Sequence, residues 1–198
     1  MGASLPAEYI ETGRWTVDDV SGRQKLVAAV FSLVAIAVTM GAASAVLSLT
    51  GADPGITIEI PQLLAAAVLG LVLHELSHAA AFLAFGGRPR FGAKAWTRLG
   101  PVLSVCAPGS YFGRGAYVFA GIGAVLVLGV LLLAVVAIAP AGGTASNIAI
   151  IAAVLNVAGG AGDAIIALAV LAYPSGARFE DTGEGFVVYA AAPVGDAD

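Results

Sequence analysis

The apolar residues of this chain are gathered into four long runs. The runs cover residues 26–49, 60–85, 116–139 and 147–173. Because a helix needs about 20 apolar residues to cross the hydrocarbon core of a bilayer, each run is long enough for one transmembrane helix. Stretches rich in glycine and proline separate the runs, at residues 51–55, 86–89, 140–143 and 174–176. The pattern predicts an all-α membrane protein, a bundle of about four transmembrane helices.

Composition supports a membrane location and excludes several other classes. Hydrophobic residues make up 59% of the chain and charged residues 11%, whereas a soluble domain carries roughly 25% charged residues. The net charge of −4 argues against nucleic-acid binding, which needs clustered Lys and Arg. The single cysteine, Cys106, excludes an internal disulfide and a CxxC metal site. We therefore predict an integral protein of the cell membrane.

Positive charge is confined to two of the segments outside the runs. The N-terminal segment, residues 1–25, holds Arg14, Arg23 and Lys25, and the loop between the second and third runs holds Arg88, Arg90, Lys94, Arg98 and Arg114. The other two loops, near Asp53 and Gly142, contain no Lys or Arg. Since basic loops stay in the cytoplasm, both termini are predicted to be cytoplasmic. Residues 26–173 then form the membrane domain, and residues 174–198 a cytoplasmic tail.

Two segments outside the runs resemble small hairpins. Residues 91–107 alternate loosely between apolar and polar positions and have a break at residues 99–101. Residues 177–191 contain two short apolar stretches around a turn at residues 181–183. We expect both to form β-hairpin elements at the cytoplasmic face; the alternative is plain connecting structure.

The residues with metal chemistry lie in the second run. It contains both histidines of the protein, in the order His74-Glu75-Leu76-Ser77-His78, an H-E-x-x-H pattern. Residues four apart on a helix lie on one face, so the two imidazoles can bind one zinc ion. Glu75 lies next to the metal, where it can act as general base on zinc-bound water.

These polar residues are unusual at this position in a membrane helix. An acidic residue near the bilayer centre costs about 2.5–3.5 kcal/mol, so such residues mark a function. The alternative is a buried His–Glu hydrogen-bond cluster that links helices, or a proton relay. That alternative does not explain the H-E-x-x-H order.

A catalytic zinc site needs a third protein ligand and an open fourth position. Apart from Glu75, Asp163 is the only acidic residue within a run. His78 lies seven residues before Phe85, and Asp163 lies ten before Tyr173. The second and fourth runs are both predicted to cross the membrane from outside to inside. At a rise of about 1.5 Å per residue, the two histidines and Asp163 then lie within roughly one helical turn of each other in membrane depth, in the cytoplasmic half. We therefore predict Asp163 as the third ligand; the alternative is a carboxylate paired with Ser77 or with a glycine backbone.

The residues around Asp163 favour close helix packing. Gly159, Gly160 and Gly162 precede it, and small residues let two membrane helices approach closely. Asn156 lies two turns before Asp163 on the same face. It is expected to hydrogen-bond a substrate backbone or a developing oxyanion, or else to link two helices.

At these residues the chain resembles a known family. His74-Glu75-Leu76-Ser77-His78 in an early helix, with Asn156 and Gly162-Asp163 in a later one, is similar to the zincin peptidase family of small membrane proteins over roughly residues 60–190. That family is similar in turn to the site-two intramembrane metalloproteases, which cut peptides at or within the membrane. In those enzymes the metal-binding aspartate, far from the H-E-x-x-H pattern in the sequence, stands in an L-D-G setting. Here Gly162 precedes Asp163 and Ala164 follows it, and we expect no PDZ domain.

The resulting hypothesis is an intramembrane or membrane-associated zinc metalloprotease. One zinc ion is held by His74, His78 and Asp163, and Glu75 moves protons from the water to the leaving amine. The substrate is a membrane protein or peptide, and residues 91–107 are expected to pair with it as an extended strand. The rival hypotheses are a non-catalytic zinc-binding scaffold and a small proton-coupled transporter. A scaffold needs a fourth ligand, for which only Cys106 is available, and a transporter usually shows internal repeats, which this sequence lacks.

Overall fold

The computed structural model of the chain describes residues 4–51, 59–97 and 100–192. The predicted loop near Asp53 and part of the break at residues 99–101 lie outside these ranges. Four helical segments are long and apolar enough to cross a membrane: Gly22–Leu49, Ile60–Ala84, Arg114–Ile138 and Thr144–Leu171. The predicted helical runs are confirmed to within a few residues at each end.

The first two segments are single helices with recognisable starts. Helix α1 (Gly22–Leu49) follows Ser21, whose hydroxyl accepts a hydrogen bond from the Gln24 N–H while the Gln24 side chain accepts one from the Ser21 N–H. This reciprocal capping satisfies donors that the first helical turn leaves free. Helix α2 (Ile60–Ala84) has Pro61 in its first turn, where a missing N–H is tolerated.

The third and fourth segments are each interrupted. The third consists of α3 (Arg114–Val118), a π-helical turn (Phe119–Gly123) and α4 (Ala124–Ile138). The fourth consists of α5 (Thr144–Gly159) and α6 (Ala161–Leu171), which meet at Gly160. The sequence did not predict these interruptions, and a π-turn inside an α-helix frequently marks a functional position.

The helices contact each other mainly through small and aliphatic side chains. At the end away from the sheets described below, a far-end cluster of buried residues joins α1, α4 and α5; it consists of Ala43, Leu47, Val136, Ala149 and Ile150. Many large aliphatic side chains point outward instead, such as Leu33, Leu64 and Leu131. Helices that are apolar on all sides suit a lipid environment.

Two small antiparallel sheets lie at the other end of the bundle. Strands β2 (Arg90–Thr97) and β3 (Gly100–Cys106) form a hairpin. The second sheet has the order β1-β6-β5-β4, with β1 at Tyr9–Thr16, β4 at Phe112–Gly113, β5 at Arg178–Asp181 and β6 at Gly185–Ala191. Both predicted hairpins are confirmed. The N-terminal segment was not predicted to be a strand, and it becomes one by pairing with β6 from the opposite end of the chain.

An aromatic cluster fixes the four-stranded sheet to the helices. It consists of Phe82, Phe112, Tyr117, Phe179 and Phe186, all buried, from α2, β4, α3, β5 and β6. Neighbouring rings lie at centroid distances of 5.1 Å for Phe82 and Phe112 and 5.7 Å for Tyr117 and Phe179. Aromatic contacts at these distances add to the stability that burial of the rings provides.

The turn between β5 and β6, residues 181–185, is called the tail turn. Its conformation depends on glycine, because Gly183 has a φ of +78° and a Cβ at Gly185 would collide with the Trp15 carbonyl oxygen. The carboxylate of Asp181 accepts hydrogen bonds from the Tyr117 hydroxyl (2.7 Å) and from the Gly183 N–H (2.8 Å). The tail turn is thereby held against the start of the third helical segment.

Candidate metal centre

The two histidines occupy consecutive turns of α2 and direct the same ring nitrogen toward each other. Their rings meet edge to face, and the two Nε2 atoms are 3.1 Å apart. The other nitrogen of each ring is already engaged: Nδ1 of His74 lies 2.9 Å from Asn156 Oδ1, and Nδ1 of His78 lies 2.7 Å from the Ala120 carbonyl oxygen. Because both partners are acceptors, each Nδ1 donates, and each Nε2 keeps a lone pair for a metal ion.

Asp163 on α6 brings a carboxylate to the two Nε2 atoms. Oδ2 lies 3.5 Å from His74 Nε2, and Oδ1 lies 3.5 Å from His78 Nε2. Ser77 is not the partner of Asp163, because its hydroxyl donates to the His74 carbonyl oxygen. The three residues that the depth argument placed together are therefore adjacent in the structure.

The separations of the donor atoms fit a zinc ion. With metal–ligand bonds of 2.0–2.1 Å and tetrahedral angles, ligand atoms are about 3.3 Å apart. The ligand atoms of His74, His78 and Asp163 all lie within 4.8 Å of one another. Two neutral imidazoles and one carboxylate form a donor set that suits zinc. In the parts of the chain that the structure describes, this is the one group of three such residues, and Cys106 does not belong to it.

Glu75 lies beside the candidate metal position but outside the group of donor atoms. Its side chain is partly buried, and its carboxylate accepts a hydrogen bond from the backbone of Val105 on β3. It also lines both cavities that reach the site. A carboxylate in this position can take up and release protons next to the metal ligands without being one of them.

Two cavities give access to the donor residues from different sides. The first, of ≈ 210 Å³, lies under the tail turn and is lined by the three donor residues together with Glu75, Tyr117 and Asp181. The second, of ≈ 370 Å³, lies between α2 and α5 and is lined by His74, Glu75 and Asn156 with small and apolar residues, among them Ala67, Gly70, Leu103 and Leu155. The first approach is therefore more polar than the second.

Asn156, the remaining residue that the sequence singled out, is 2% exposed on α5. Its Oδ1 accepts from His74, and its Nδ2 donates to the Val125 carbonyl oxygen at 2.9 Å. The glycines that follow it contact different helices: a Cβ at Gly159 would lie 3.9 Å from His74 Cε1, whereas one at Gly160 would lie 2.9 Å from Val125 Cγ1. Gly159 thus faces the second helix with room for a methyl group, whereas Gly160 packs tightly against the third helical segment.

The third helical segment and the tail turn also contribute to the site, although the sequence indicated no role for either. The π-helical turn supplies the Ala120 carbonyl that binds His78, and a Cβ at Gly121 would lie 3.8 Å from Asp163 Cβ. Gly121 and Gly123 in this apolar run were a signal, since glycine in a membrane helix marks close approach. The tail turn contributes Asp181, whose pKa burial raises to about 6, although its hydrogen bonds from Tyr117 and Gly183 act in the opposite direction.

Comparison with known proteins agrees with this chemistry. Residues 67–178 match the sequence profile of a family described as putative zincin peptidases. The match covers more than half of the 198 residues and includes both histidines, Glu75, Asn156 and Asp163. Neither the curated proteins nor the solved structures gave a match. The chain belongs to the putative zincin peptidase family.

Proposed function

We propose that this protein is a membrane-embedded zinc metallopeptidase that hydrolyses peptide bonds of membrane-bound substrates. The observation that carries the proposal is the meeting of three ligand atoms, from His74, His78 and Asp163, within 4.8 Å of one another. Glu75 lies beside them at the wall of both cavities. Membership of a zincin family supports zinc as the metal and peptides as the substrate class.

The reaction assigns a separate role to each residue. Zinc, when bound, supplies a Lewis acid that polarises the peptide carbonyl and acidifies water. His74, His78 and Asp163 hold the ion and leave one side open to the cavities. Glu75 takes a proton from the attacking water and delivers it to the leaving amine. The backbone N–H of Val105, which donates to Glu75, keeps that carboxylate directed at the open side.

Strand β3 is proposed to bind the substrate in an extended form. In the described residues, β3 pairs only with β2, so no other strand covers its second edge. Ser104 and Val105 of β3 line the cavity that contains the donor residues. A peptide that pairs with this edge would lie next to Glu75 with its backbone exposed for attack. A helical substrate segment would have to unwind before it could bind in this way.

The two cavities are proposed to receive the two sides of the substrate. The more apolar cavity between α2 and α5 suits a segment that comes from the bilayer, while the more polar cavity under the tail turn suits a segment in water. Basic residues such as Arg14, Arg90 and Arg114 lie at the sheet end of the bundle. Because basic segments stay in the cytoplasm, we place both termini and the site toward the cytoplasmic side.

The proposal is tested with purified protein reconstituted in liposomes. The probe is a set of quenched fluorescent peptides that each carry one apolar segment, with or without helix-breaking Gly and Pro residues. We expect cleavage that stops after treatment with a chelator, returns when zinc is added, and is faster for the peptides that unwind easily. Fully zinc-loaded protein that cleaves no peptide of the set would instead favour a non-catalytic zinc-binding scaffold.

A further inference from the structure

The two histidines are held in different ways. His78 donates from Nδ1 to a backbone carbonyl, that of Ala120 in the π-helical turn. His74 donates from Nδ1 to a side chain, that of Asn156. A backbone carbonyl remains after any substitution at its own position, whereas a side-chain acceptor is lost with the side chain. The orientation of His74 therefore depends on the identity of one residue on another helix.

The direction of the Asn156 amide follows from its second contact. Its Nδ2 lies 2.9 Å from the carbonyl oxygen of Val125, and a carbonyl can only accept a hydrogen bond. The NH2 group therefore faces Val125, and the amide oxygen faces His74 at 2.9 Å. With this orientation the amide oxygen accepts a hydrogen bond from the Nδ1–H group of His74, so that the lone pair of the ring is on Nε2.

We propose that Asn156 is a positioning residue, which fixes the tautomer and ring orientation of His74 by joining α2 to α4 through its amide. This inference rests on the proposed function, since it concerns one of the proposed zinc ligands. It replaces the expected oxyanion role: the side chain is 2% exposed and its NH2 group is already bound to Val125. Asn156 lines the cavity between α2 and α5, but both ends of its amide are bound to the protein, so it acts on the metal through His74.

Loss of the amide would change His74 in two ways. The imidazole could rotate about its side-chain bonds, and its proton could move to Nε2, the nitrogen that faces His78 and Asp163. Either change removes a metal ligand. Groups that orient a ligating histidine in this way typically account for about ten- to hundredfold in metal affinity.

NMR spectroscopy of protein labelled selectively with ¹⁵N-histidine shows which ring nitrogen of each histidine carries the proton. The chain has two histidines, so the spectrum contains only four imidazole nitrogens. In the wild type without metal we expect Nδ1 of both rings to carry the proton, and zinc to shift both Nε2 signals. In Asn156→Ala the signals of His74 should change while those of His78 remain, and zinc affinity, measured by competition with a chelator, should fall about ten- to hundredfold.

Two further variants separate positioning from helix packing. Asn147→Ala is the matched control, since Asn147 lies on the same helix and is also 2% exposed; it should leave the His74 signals and the zinc affinity unchanged. Asn156→Asp retains an acceptor for His74 but loses the donor to Val125. It should restore the His74 signals and most of the affinity that Asn156→Ala loses.

Three results would overturn the inference. These are a wild-type His74 without a proton on Nδ1, an Asn156→Ala variant with unchanged His74 signals and zinc affinity, and an Asn156→Asp variant as defective as Asn156→Ala. A defective Asn156→Asp variant would mean that the hydrogen bond to Val125, a packing contact, accounts for the loss of zinc affinity in Asn156→Ala. Failure of the proposed zinc site has a different signature, because the wild type would then show no shift of the Nε2 signals with zinc. Failure of the proposed catalysis alone would leave the zinc-dependent shifts and their dependence on Asn156 unchanged and abolish only peptide cleavage.

Discussion

The two ends of the helical bundle are held together by different kinds of contact. The far-end cluster contains only Ala, Leu, Val and Ile. At the sheet end, the aromatic cluster lies beside His78, whose ring nitrogen donates to the Ala120 carbonyl. The far end therefore needs side chains of suitable volume, whereas the sheet end needs particular polar atoms in particular places.

Because of this difference, we expect substitutions at the far end to change mainly the stability of the protein, and substitutions at the sheet end to change mainly metal binding and activity. A large-to-small substitution in the far-end cluster, such as Leu47→Ala, should reduce stability by about 2–5 kcal/mol through the cavity that it leaves. It should leave the metal site intact, because Leu47 is at the opposite end from the donor residues. Substitutions at the site should show the reverse, a small change in stability and a large change in metal binding or reaction rate.

The largest effect is expected for Asp163→Ala. Two imidazoles alone rarely hold zinc tightly, so the variant should lose its zinc on dialysis and lose all activity. Asp163→Asn should also bind zinc more weakly, because the negative charge that offsets the dication is gone. Zinc content per chain is the measurement, and Val136→Ala in the far-end cluster is the control that should keep it. An Asp163→Ala variant with wild-type zinc affinity would show that Asp163 is not a ligand.

The second largest effect is expected for Glu75→Gln. The side chain keeps its size and an oxygen for the Val105 N–H, but it can no longer take up a proton. Zinc content should therefore be unchanged, while the cleavage rate should fall by about 10²–10⁴-fold. Loss of zinc from this variant would mean that Glu75 is itself a ligand. The zinc content of each preparation is therefore measured together with its cleavage rate.

A pH dependence is expected from Asp181 in the tail turn. Its pKa in the folded protein is raised to about 6 from 3.8, so the folded state binds this proton more tightly than the unfolded state. Stability should then be greatest below about pH 4 and decline as the pH rises through 6, by about 2–3 kcal/mol. Asp181→Asn should remove this decline from thermal unfolding curves. The control Leu47→Ala should lower the unfolding temperature at every pH and still show the decline with rising pH. If the unfolding temperature of Asp181→Asn fell with pH in parallel with that of the wild type, Asp181 would not be the group responsible.

The smallest effect is expected for Gly160→Ala. The added methyl would lie 2.9 Å from Val125 Cγ1, so Val125 must shift, whereas a methyl at Gly162 meets nothing within 4 Å. We expect Gly160→Ala to lose about 1 kcal/mol of stability and to bind zinc a few-fold more weakly, because α6 carries Asp163. Gly162→Ala is the control. Equal unfolding temperatures and zinc affinities for the two variants would show that the contact at Gly160 does not matter.

The helices were predictable because apolar run length alone specifies them, and the meeting of the histidines with Asp163 followed from depth. Other features depend on contacts between residues distant in the chain. Strand β1 forms only because β6 pairs with it, and Asp181 reaches the site only because Tyr117 holds the tail turn. The π-helical turn consists of Phe, Ala, Ile and two Gly residues; the glycines indicate close packing but do not distinguish a π-helical turn from an ordinary helix.

X-ray absorption at the zinc edge of the purified wild-type protein decides whether His74, His78 and Asp163 bind zinc. It gives the amount of zinc and the types of atom bound to it in one sample. We expect one zinc ion per chain, surrounded by two imidazole nitrogens and oxygen ligands at about 2.0–2.2 Å. Protein that carries no zinc after purification in its presence, or a sulfur ligand from Cys106 at about 2.3 Å, would contradict this expectation.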